Sequence, residues 1–337
     1  MSSVATIVLN WNGIEDTKKC LASLYKQTYK SQTIILVENG SDEAGTQPEI
    51  AKLQEKYPKL IVLENAKNLG FAGGVNTGIR YALKGDFDFV ALFNNDATAD
   101  KHWLTELVSA QKKQQSGITT GLLLHADGKT IDSTGDWCSN RGLPFPRDRN
   151  QPASSAPESG FVFSGSGGAS LYSTKMLREI GLFDEAFFAY YEDTDISFRA
   201  QLYGHKVYYT NKAIAYHEQG ASSKKVPGFT VQQTFKNLPL FIAKNMPTSL
   251  LFSVGLKFWL AYILMFGNAV KNDNGAKALK GYVQHLGIFW ADSLWQRFRI
   301  QRERTASVRY ITDILWPDLP PDQTGLRKLR DRITGKK

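Results

Sequence analysis

The chain has 337 residues, a formal net charge of +9, and 42% hydrophobic against 22% charged residues. This balance is typical of a globular protein and excludes a disordered or fibrous chain. Two cysteines, Cys20 and Cys138, are too few for a disulfide framework and form no CxxC metal motif, so we expect a reduced, cytosolic setting. The opening residues lack the basic start and the apolar run of a secretory signal.

The charge is unevenly distributed along the chain. Residues 222–337 carry 19 Lys or Arg against 7 Asp or Glu, whereas residues 1–221 carry 22 against 25. A basic region of this kind favours an anionic partner, either nucleic acid or anionic lipid. The region is rich in Leu, Phe, Trp and Tyr, and the rest of the chain has no nucleic-acid-binding motif. We therefore predict an anionic membrane surface as a partner, and no nucleic acid.

Strands and helices alternate through the first hundred residues. The apolar runs TIVLNW, TIILVEN, LIVLEN and FVALFNND predict four strands, and helical spacing predicts helices over 16–25, 50–57 and 71–83. This alternation predicts a parallel, doubly wound α/β sheet, in which ligands bind beyond the carboxyl ends of the strands. Polar residues gather at those ends, namely Asn10, Asn12, Glu38, Asn39, Asn65, Asn94, Asn95 and Asp96.

The pattern is less regular after residue 135. The prolines within 135–160 predict a loop, and FVFSGSGGASLYS predicts a strand with a glycine-rich centre. A short helix is predicted over 175–180, and AYYEDTDISFRAQLYG predicts a helix that Gly204 ends. KVYYTNKAIAYHEQGASS predicts two short strands. Long helices rich in Leu, Phe, Trp and Tyr are predicted over 238–270 and 276–299.

Asn94-Asn95-Asp96 follows the fourth predicted strand. A diphosphate leaving group needs its developing charge neutralised, and a divalent cation with oxygen ligands does this. Asp96 is a candidate ligand for such a cation. The alternative is a cap between strand and helix, because Asn and Asp are favoured there. These residues alone leave both interpretations open.

Glycines 70, 73, 74 and 78 mark the start of the third predicted helix. A helix N-terminus with small residues can bind an anion or a ribose, and the alternative is a close packing contact between helix and strand. The segment is not a P-loop, because the GK[ST] ending is absent. GSGGAS at 165–170 lacks the last glycine of a dinucleotide fingerprint and follows the wrong part of the chain.

The segment YYEDTD places three carboxylates at a helix start, where the helix dipole stabilises anions. Asp195 and Arg199 form an i,i+4 pair that we expect to be structural. Glu192 and Asp193 are adjacent and point in different directions, so one of them can serve as the base that transfer to a hydroxyl needs. The alternative is a charged helix start without chemistry. His217 is either structural or a cation ligand that shares its site with a carboxylate.

In their order, the motifs VLNWN, VENGS, KNLGFAGGVNTG, FNND, GSGGASLYS, GLFDEAFFAYYEDTDISFRA and YHEQGAS resemble those of the inverting family 2 glycosyltransferases of the GT-A fold. Within that family the chain looks most like rhamnosyltransferase-type members that build bacterial surface polysaccharides. The resemblance covers roughly residues 4–225 and extends to WQRFRIQRERTAS in the tail. It implies a GT-A type, doubly wound mixed sheet in a catalytic domain over 1–230. A basic, aromatic-rich helical region would follow over 231–337.

The resemblance implies a role for each matching residue. Glu38 stands where the family usually has an Asp that accepts the base N3–H. Asn94 stands at the first-Asp position of the DXD-type metal motif. The residues that would bind the nucleotide sugar are Asn10, Trp11, Asn12, Glu38, Asn68, Gly70, Gly73, Asn76, Asn95 and Asp96.

The resemblance also implies the catalytic set. Asp96 and His217 would hold a divalent cation, Mg²⁺ or Mn²⁺. Asp193 would be the base that deprotonates the acceptor hydroxyl, and Glu192 would support it. The floor of the sugar and acceptor pocket would be formed by Gly167 and Gly168.

The implied reaction is a direct displacement that inverts the anomeric carbon. The QxxRW motif of processive synthases is absent, which favours single additions. The first expectation is L-rhamnose from dTDP-rhamnose, transferred to a glycan or to a polyprenyl-diphosphate-linked glycan. Two other classes stay open: a non-catalytic nucleotide-sugar-binding module would not need Asp193, and a nucleotidyltransferase normally opens with a glycine-rich loop bearing Arg and Lys, which VLNWNG lacks.

The stretch 250–270 is apolar over about the length of a membrane span, but Lys257 lies inside it and Asn268 near its end. Trp259 and Trp290 suit a membrane interface. The alternatives are an interfacial anchor, a packed helical subdomain and a true span. We expect the anchor, which would make the protein peripheral or monotopic at the cytoplasmic face of the cell membrane.

Overall fold

The computed structural model describes residues 1–218, 226–320, 325 and 327. The last four residues of the motif YHEQGAS and the basic residues 328–337 of the predicted C-terminal region lie outside the described residues.

The first hundred residues form the predicted alternation. Its strands are β1 (Val4–Asn10), β2 (Gln32–Glu38), β3 (Ile61–Glu64) and β4 (Phe89–Asn94), and its helices are α1 (Ile14–Leu24), α2 (Thr46–Lys56) and α3 (Gly70–Lys84). The four strands are parallel in the order β3-β2-β1-β4. Asn10 pairs in register with Glu38, and Leu9 with Asn94. The strand-end polar residues therefore meet at one edge of the sheet, as predicted.

The later strands extend this sheet and make it mixed. They are β5 (Ala97–Ala99), β6 (Ile118–His125), β7 (Ile131–Ser133), β8 (Asp136–Cys138), β9 (Pro144–Pro146), β10 (Gly160–Val162), β11 (Ala169–Ser173) and β12 (Val207–His217). The main order is β10-β12-β6-β11-β4-β1-β2-β3. Strand β11 runs antiparallel between β4 and β6, whereas β12 is parallel to β6. The short strand β5 pairs with the end of β12, which brings His217 opposite Ala97.

Three local predictions within the sheet domain were wrong. The segment 135–160 is not only loop, because β8 and β9 pair as a small antiparallel sheet whose edge tolerates Pro144 and Pro146. The single strand predicted over 161–173 is two strands, since its glycine-rich centre leaves the sheet. The two strands predicted to end at His217 are one, β12, interrupted by a register shift between Thr210 and Ile214.

Two apolar cores cover the two faces of the sheet. Alternate residues of β1 point to opposite faces, so Val4 and Val8 contribute to one core and Ala5 and Ile7 to the other. The first core contains apolar residues of α1, α2 and α4 (Trp103–Gln114). The second contains residues of α3, α5 (Thr174–Ile180) and α6 (Glu192–Leu202).

A third core joins the sheet domain to the C-terminal helices. These are α7 (Phe229–Asn245), α8 (Leu251–Lys271), α9 (Gly275–Ile288), α10 (Leu294–Glu303) and α11 (Val308–Ile314), with a π-helical turn between α9 and α10. Phe163 and Phe198 of the sheet domain pack in the same core as Phe241 and Phe258. The helix predicted over 238–270 is broken at Pro247. The domain boundary at 230/231 stays a prediction.

Candidate active site

The carboxyl ends of β1 and β2 form a buried polar network. The side-chain amide of Asn10 donates to Oε2 of Glu38, and Oε1 of Glu38 accepts the backbone N–H of Ser41 at 2.7 Å. The hydroxyl of Thr17 donates to Oδ1 of Asn10 at 2.7 Å. Asn10 and Glu38 are 0% and 3% exposed. Glu38 has a longer side chain than the Asp that the family usually has at this position. Its carboxylate bonds back onto its own loop, so the side chain is held in one position.

Asn12 connects two loops beside this network. Its Oδ1 accepts the backbone N–H groups of Asp42 and Glu43 at 3.0 and 3.1 Å. It adopts a left-handed conformation with φ of 51°, which Asn tolerates better than most residues. Trp11 is half-buried in the same loop. The roles of Trp11 and Asn12 toward the donor stay predictions.

Asn39 and Asn68 shape the turn that opens α3. The Asn39 amide donates to Oδ1 of Asn68 and to the carbonyl of Gly70, both at 3.1 Å, and Asn68 also accepts the Gly70 N–H at 2.8 Å. Gly70 has φ of +72°, and a Cβ there would lie 2.4 Å from the carbonyl oxygen of Phe188. A glycine is therefore required at position 70 by both conformation and space.

The other glycines of this segment make close contacts within the protein. A Cβ on Gly74 would lie 2.4 Å from Cδ1 of Leu9, and one on Gly78 would lie 2.8 Å from Cγ2 of Ile7. A Cβ on Gly73 would lie 2.7 Å from a side-chain atom of the preceding turn. Close packing between helix and strand therefore explains why positions 74 and 78 are glycine. Contacts of Gly70 and Gly73 with the donor stay predictions.

Asn76 lies one turn further along α3 and is 1% exposed. Its amide group donates to the carbonyl of Phe183 at 2.8 Å and to Glu185 at 3.0 Å, and its Oδ1 accepts the Phe183 N–H at 3.1 Å. These bonds join α3 to the segment before α6. Both side-chain groups of Asn76 therefore bond within the protein, and neither faces outward. Its donor-binding role stays a prediction without support from this geometry.

Asp96 and His217 meet although 121 positions separate them. Nε2 of His217 lies 3.1 Å from Oδ1 of Asp96 and 3.3 Å from the side-chain nitrogen of Asn94. The pairing of β5 with β12 produces this contact, because β5 begins directly after Asp96. A cavity of about 150 Å³ lies beside Asp96 and is lined in part by Asn95, Asp96 and Tyr216, but not by His217. The two predicted metal ligands are therefore adjacent.

Asp132 is a member of this site that the sequence reasoning missed. Its Oδ2 lies 2.8 Å from Nδ1 of His217, and Arg149 pairs with its Oδ1 at 2.9 Å. Burial alone would lower the pKa of His217, but hydrogen bonds to Asp132 and Asp96 outweigh it and raise that pKa to about 9. Burial would raise the pKa of Asp132, but His217 and Arg149 hold it below its ordinary value.

This donor set fits a divalent cation. A carboxylate on one nitrogen of a histidine is the arrangement that orients the opposite nitrogen toward a metal. His217 has such a carboxylate in Asp132, and its Nε2 faces Asp96. Among the described residues, no group of three or more His, Cys, Asp or Glu side chains is arranged to hold a metal ion. The remaining ligands would then come from substrate phosphates and water, as is usual for Mg²⁺.

Asn95 bonds to residues at the start of α1. Its amide donates to the Thr17 hydroxyl at 3.1 Å and to the carbonyl of Gly13 at 3.3 Å. Thr17 also bonds Asn10, so Asn95 connects the predicted metal motif to the network at β1 and β2.

A glycine loop joins Asp193 to the strand-end residues. Oδ2 of Asp193 accepts the Gly167 N–H at 2.9 Å, and the Gly168 carbonyl accepts the N–H of Asn94 at 2.8 Å. A Cβ on Gly167 would lie 3.2 Å from Cβ of Asp193, and one on Gly168 would lie 3.1 Å from Nδ2 of Asn94. The predicted base and the predicted metal motif thus meet across two glycines, where side chains would crowd them.

Three carboxyl groups cluster around this loop. Burial raises the pKa of Asp193, although N–H groups of Gly167 and Thr194 partly oppose the effect. Burial and the charge of Asp193 raise the pKa of Glu192 well above its ordinary value, and Oε2 of Glu192 has no hydrogen-bond partner in the described part of the chain. Burial and Asp193 also raise the pKa of Asp136 to about 8. Sequence reasoning missed Asp136 because it treated that segment as a loop.

The loop before Asp193 has a strained backbone. Phe188, Tyr190 and Tyr191 have φ of 63°, 69° and 70°, and such conformations cost about 1–3 kcal/mol each in residues other than glycine. Helix α7 holds this loop: the Asn237 amide donates to the carbonyls of Phe187, Ala189 and Tyr190 at 3.0, 2.8 and 2.8 Å. The C-terminal region therefore positions the base-bearing segment.

A buried ion network fixes the same side of α7 two turns after Asn237. Nζ of Lys244 lies 2.6 Å from Asp184 and 2.7 Å from Asp195, and Arg199 binds the second oxygen of Asp195 at 2.9 Å. Lys244 and Asp195 are fully buried. The structural role predicted for the Asp195–Arg199 pair is confirmed. The sequence analysis did not identify Lys244. The pair Lys-Asn occurs twice in the apolar segment KNLPLFIAKN, and this repeat could have indicated buried polar residues.

The fold is that of the GT-A type glycosyltransferases. A mannosyltransferase of Pyrobaculum calidifontis, solved with GDP-Man and Mn²⁺, superposes with a TM-score of 0.54 at 14% identity. The superposition covers 84% of this chain and 86% of that one. The predicted GT-A type mixed sheet with a C-terminal helical region is thereby confirmed.

The chain belongs to glycosyl transferase family 2, whose family model matches residues 3–181. A low-salt glycan biosynthesis hexosyltransferase of Haloferax volcanii is 23% identical over 251 residues, covering 73% of this chain and 76% of that protein. An N-acetylglucosaminyl-diphospho-decaprenol L-rhamnosyltransferase of Mycobacterium tuberculosis is 24% identical over 251 residues, covering 67% and 79%. The protein is therefore a glycosyltransferase that uses a nucleotide-sugar donor, and it resembles the rhamnosyltransferases of this family.

Proposed function

We propose that the enzyme transfers L-rhamnose from dTDP-rhamnose to a hydroxyl of a polyprenyl-diphosphate-linked glycan, with inversion and with the help of a divalent cation. One observation carries the catalytic part: Asp193 is joined through Gly167 and Gly168 to the edge that holds Asp96 and His217. The sugar and the acceptor are supported by the name of the mycobacterial relative.

Asp193 acts as the base in this proposal. Its Oδ2 is held by the Gly167 N–H, so the carboxylate has one orientation, and its raised pKa makes it a stronger acceptor of a proton. It takes the proton of the acceptor hydroxyl while that oxygen attacks the anomeric carbon from the face opposite the phosphate. Glu192 is buried beside it and supports its orientation.

In this proposal Glu38 binds the donor base, and the fully buried Asn10 holds Glu38 in place within the network that Ser41 and Thr17 complete. Asp96 and His217 would hold Mg²⁺ or Mn²⁺. When bound there, the cation would neutralise charge on the departing diphosphate. The complex of the Pyrobaculum enzyme with Mn²⁺ supports this part of the proposal.

The test is a donor panel. The purified full-length chain is incubated with UDP-, GDP- and dTDP-sugars and Mg²⁺ or Mn²⁺, with an N-acetylglucosaminyl-diphospho-polyprenol as acceptor. We expect transfer from dTDP-rhamnose and an inverted linkage in the product. Transfer from another donor would replace the proposed sugar and leave the mechanism in place, whereas binding of no nucleotide sugar would contradict the proposal as a whole.

Replacement of Asp132 by Asn is expected to weaken cation binding by about 10–100-fold, as loss of a carboxylate behind a metal-binding histidine commonly does. The measurement is the Mn²⁺ concentration for half-maximal transfer, with direct Mn²⁺ titration in the presence of nucleotide as a second readout. Glu179→Gln is the matched control, because the Glu179 carboxylate also pairs with a histidine, His205, at 2.9 Å outside the site. An unchanged Mn²⁺ requirement in Asp132→Asn would show that Asp132 does not support the metal site.

A further inference from the structure

Helix α8 is apolar on two opposite sides. Phe258 and Tyr262 lie on the inner side in the third core, where the Tyr262 hydroxyl donates to the carbonyl of Phe235 at 2.7 Å. The outer side carries large apolar residues one turn apart, of which Leu256 and Leu260 are 69% and 64% exposed. A helix that is apolar all round is normally covered on both sides. The outer side of α8 has no protein cover in the described part of the chain.

The same exposure continues on the next helices. Of the sixteen large apolar residues that are exposed in the described residues, twelve fall within 252–298. Trp259 of α8 contacts Tyr282 of α9, so the two helices are neighbours and their outer stripes adjoin. Soluble monomers rarely expose so much clustered apolar surface unless it binds something. We call this surface the docking face, formed by Phe252, Leu256, Leu260, Ile263, Leu279 and Val283.

The charge around the docking face identifies its partner. Exposed basic residues flank the apolar stripes, whereas acidic residues between 250 and 302 are limited to Asp273 and Asp292. Apolar and aromatic side chains bordered by Lys and Arg are the signature of helices that lie in the interface of an anionic membrane. The flanking basic residues on α8 and α9 are Lys257, Lys271, Lys277 and Lys280.

The packing of α8 limits how deeply this helix can enter a membrane. Together with the helical turn before it, α8 spans Thr248–Lys271 and is the one helix among the described residues that is long and apolar enough to cross a membrane. A crossing would pull Phe258 and Tyr262 out of the core that they share with Phe235 and Phe241. A helix that lies in the plane of the interface keeps that core and buries only its outer side.

We propose that the docking face inserts into one leaflet of an anionic bilayer, parallel to the surface and without crossing it. The proposal concerns binding alone and goes beyond the transfer reaction. Its use to the enzyme rests on the proposed lipid-linked acceptor, whose sugar end would meet the active site at the same surface. Helix α7 packs against α9 and also holds the loop that precedes Asp193, so direct contacts connect the docked helices to the segment before the base.

The experiment is flotation of the full chain with vesicles of phosphatidylcholine containing about one third phosphatidylglycerol. We expect the wild type to float, and the triple variant Leu256→Gln, Leu260→Gln, Ile263→Gln to lose about tenfold or more in partitioning. The control is Tyr81→Gln with Phe161→Gln, two exposed aromatics outside the docking face, which should float normally. Lipids brominated near the headgroup should quench tryptophan fluorescence more than lipids brominated at the bilayer centre.

Three outcomes would overturn the proposal. The first is a wild type that does not float, and the second is a triple variant that floats as well as the wild type. The third is quenching that is strongest at the bilayer centre, which would indicate a span. A dimer that the triple variant converts to a monomer, without vesicle binding by either, would assign the face to a second copy of the chain. Hydrolysis of a soluble nucleotide sugar, measured in parallel, separates these failures from a failure of the proposed reaction.

Discussion

Asp193→Asn is expected to lower kcat for sugar transfer by about 10²–10⁴-fold and to leave donor binding nearly unchanged. The amide oxygen of Asn can still accept the Gly167 N–H that now bonds Oδ2, so the loop should keep its shape. The amide cannot take the proton of the acceptor hydroxyl. The measurement is single-turnover transfer with saturating donor, together with nucleotide-sugar affinity by calorimetry.

Asp100→Asn is the matched control, because Asp100 also accepts a backbone N–H, that of His102 at 2.9 Å, outside the site. It should retain wild-type kcat. Glu192→Gln distinguishes the two adjacent carboxylates, and we expect a smaller loss in that variant because Glu192 supports the base. Near wild-type transfer by Asp193→Asn with complete loss in Glu192→Gln would assign the base to Glu192 instead.

Lys244→Met should destabilise the protein by about 3–5 kcal/mol, the usual effect of removing one partner from a buried ion pair. Lys244 lies within 2.7 Å of both Asp184 and Asp195, so the variant leaves buried Asp184 without its cation and Asp195 with Arg199 alone. Met retains most of the volume, so the effect reports charge and not a cavity. The measurement is the free energy of unfolding in urea at neutral pH.

The loss should depend on pH. Burial would raise the pKa of Asp184, but Lys244 outweighs it and holds that pKa below the ordinary value. A lowered folded-state pKa stabilises the protein above the unfolded pKa of about 3.9, and this contribution disappears as the pH falls through the folded value. The difference between wild type and variant should therefore shrink in acid.

Lys257→Met is the control for Lys244→Met, since Lys257 is exposed on α8 and should change stability by less than about 0.5 kcal/mol. Partial recovery in Lys244→Met with Asp184→Asn would confirm that an unpaired carboxylate causes the loss. Wild-type stability of Lys244→Met at neutral pH would show that the network contributes nothing to the fold.

Local sequence patterns were sufficient to predict the first four strands and three helices, because the spacing of apolar residues indicates which face of each segment is buried. They also placed Asn10, Glu38 and Asp96 at one edge, since parallel strands end on the same side of a sheet. They missed Asp132, Asp136 and Lys244. Each of these reaches the site through contacts with residues more than fifty positions away, which no local period reports.

The glycines of α3 and the apolar helix α8 show where the limit lies. Residue types alone determined that Gly74 lies near a helix start and that 250–270 is strongly apolar. The packing of α3 on β1 decided whether Gly74 contacts Leu9 or a ligand. Whether α8 is a core helix, a span or an interfacial helix depended on what covers each of its sides. Hydropathy is the same in all three cases, because it measures the side chains and not their neighbours.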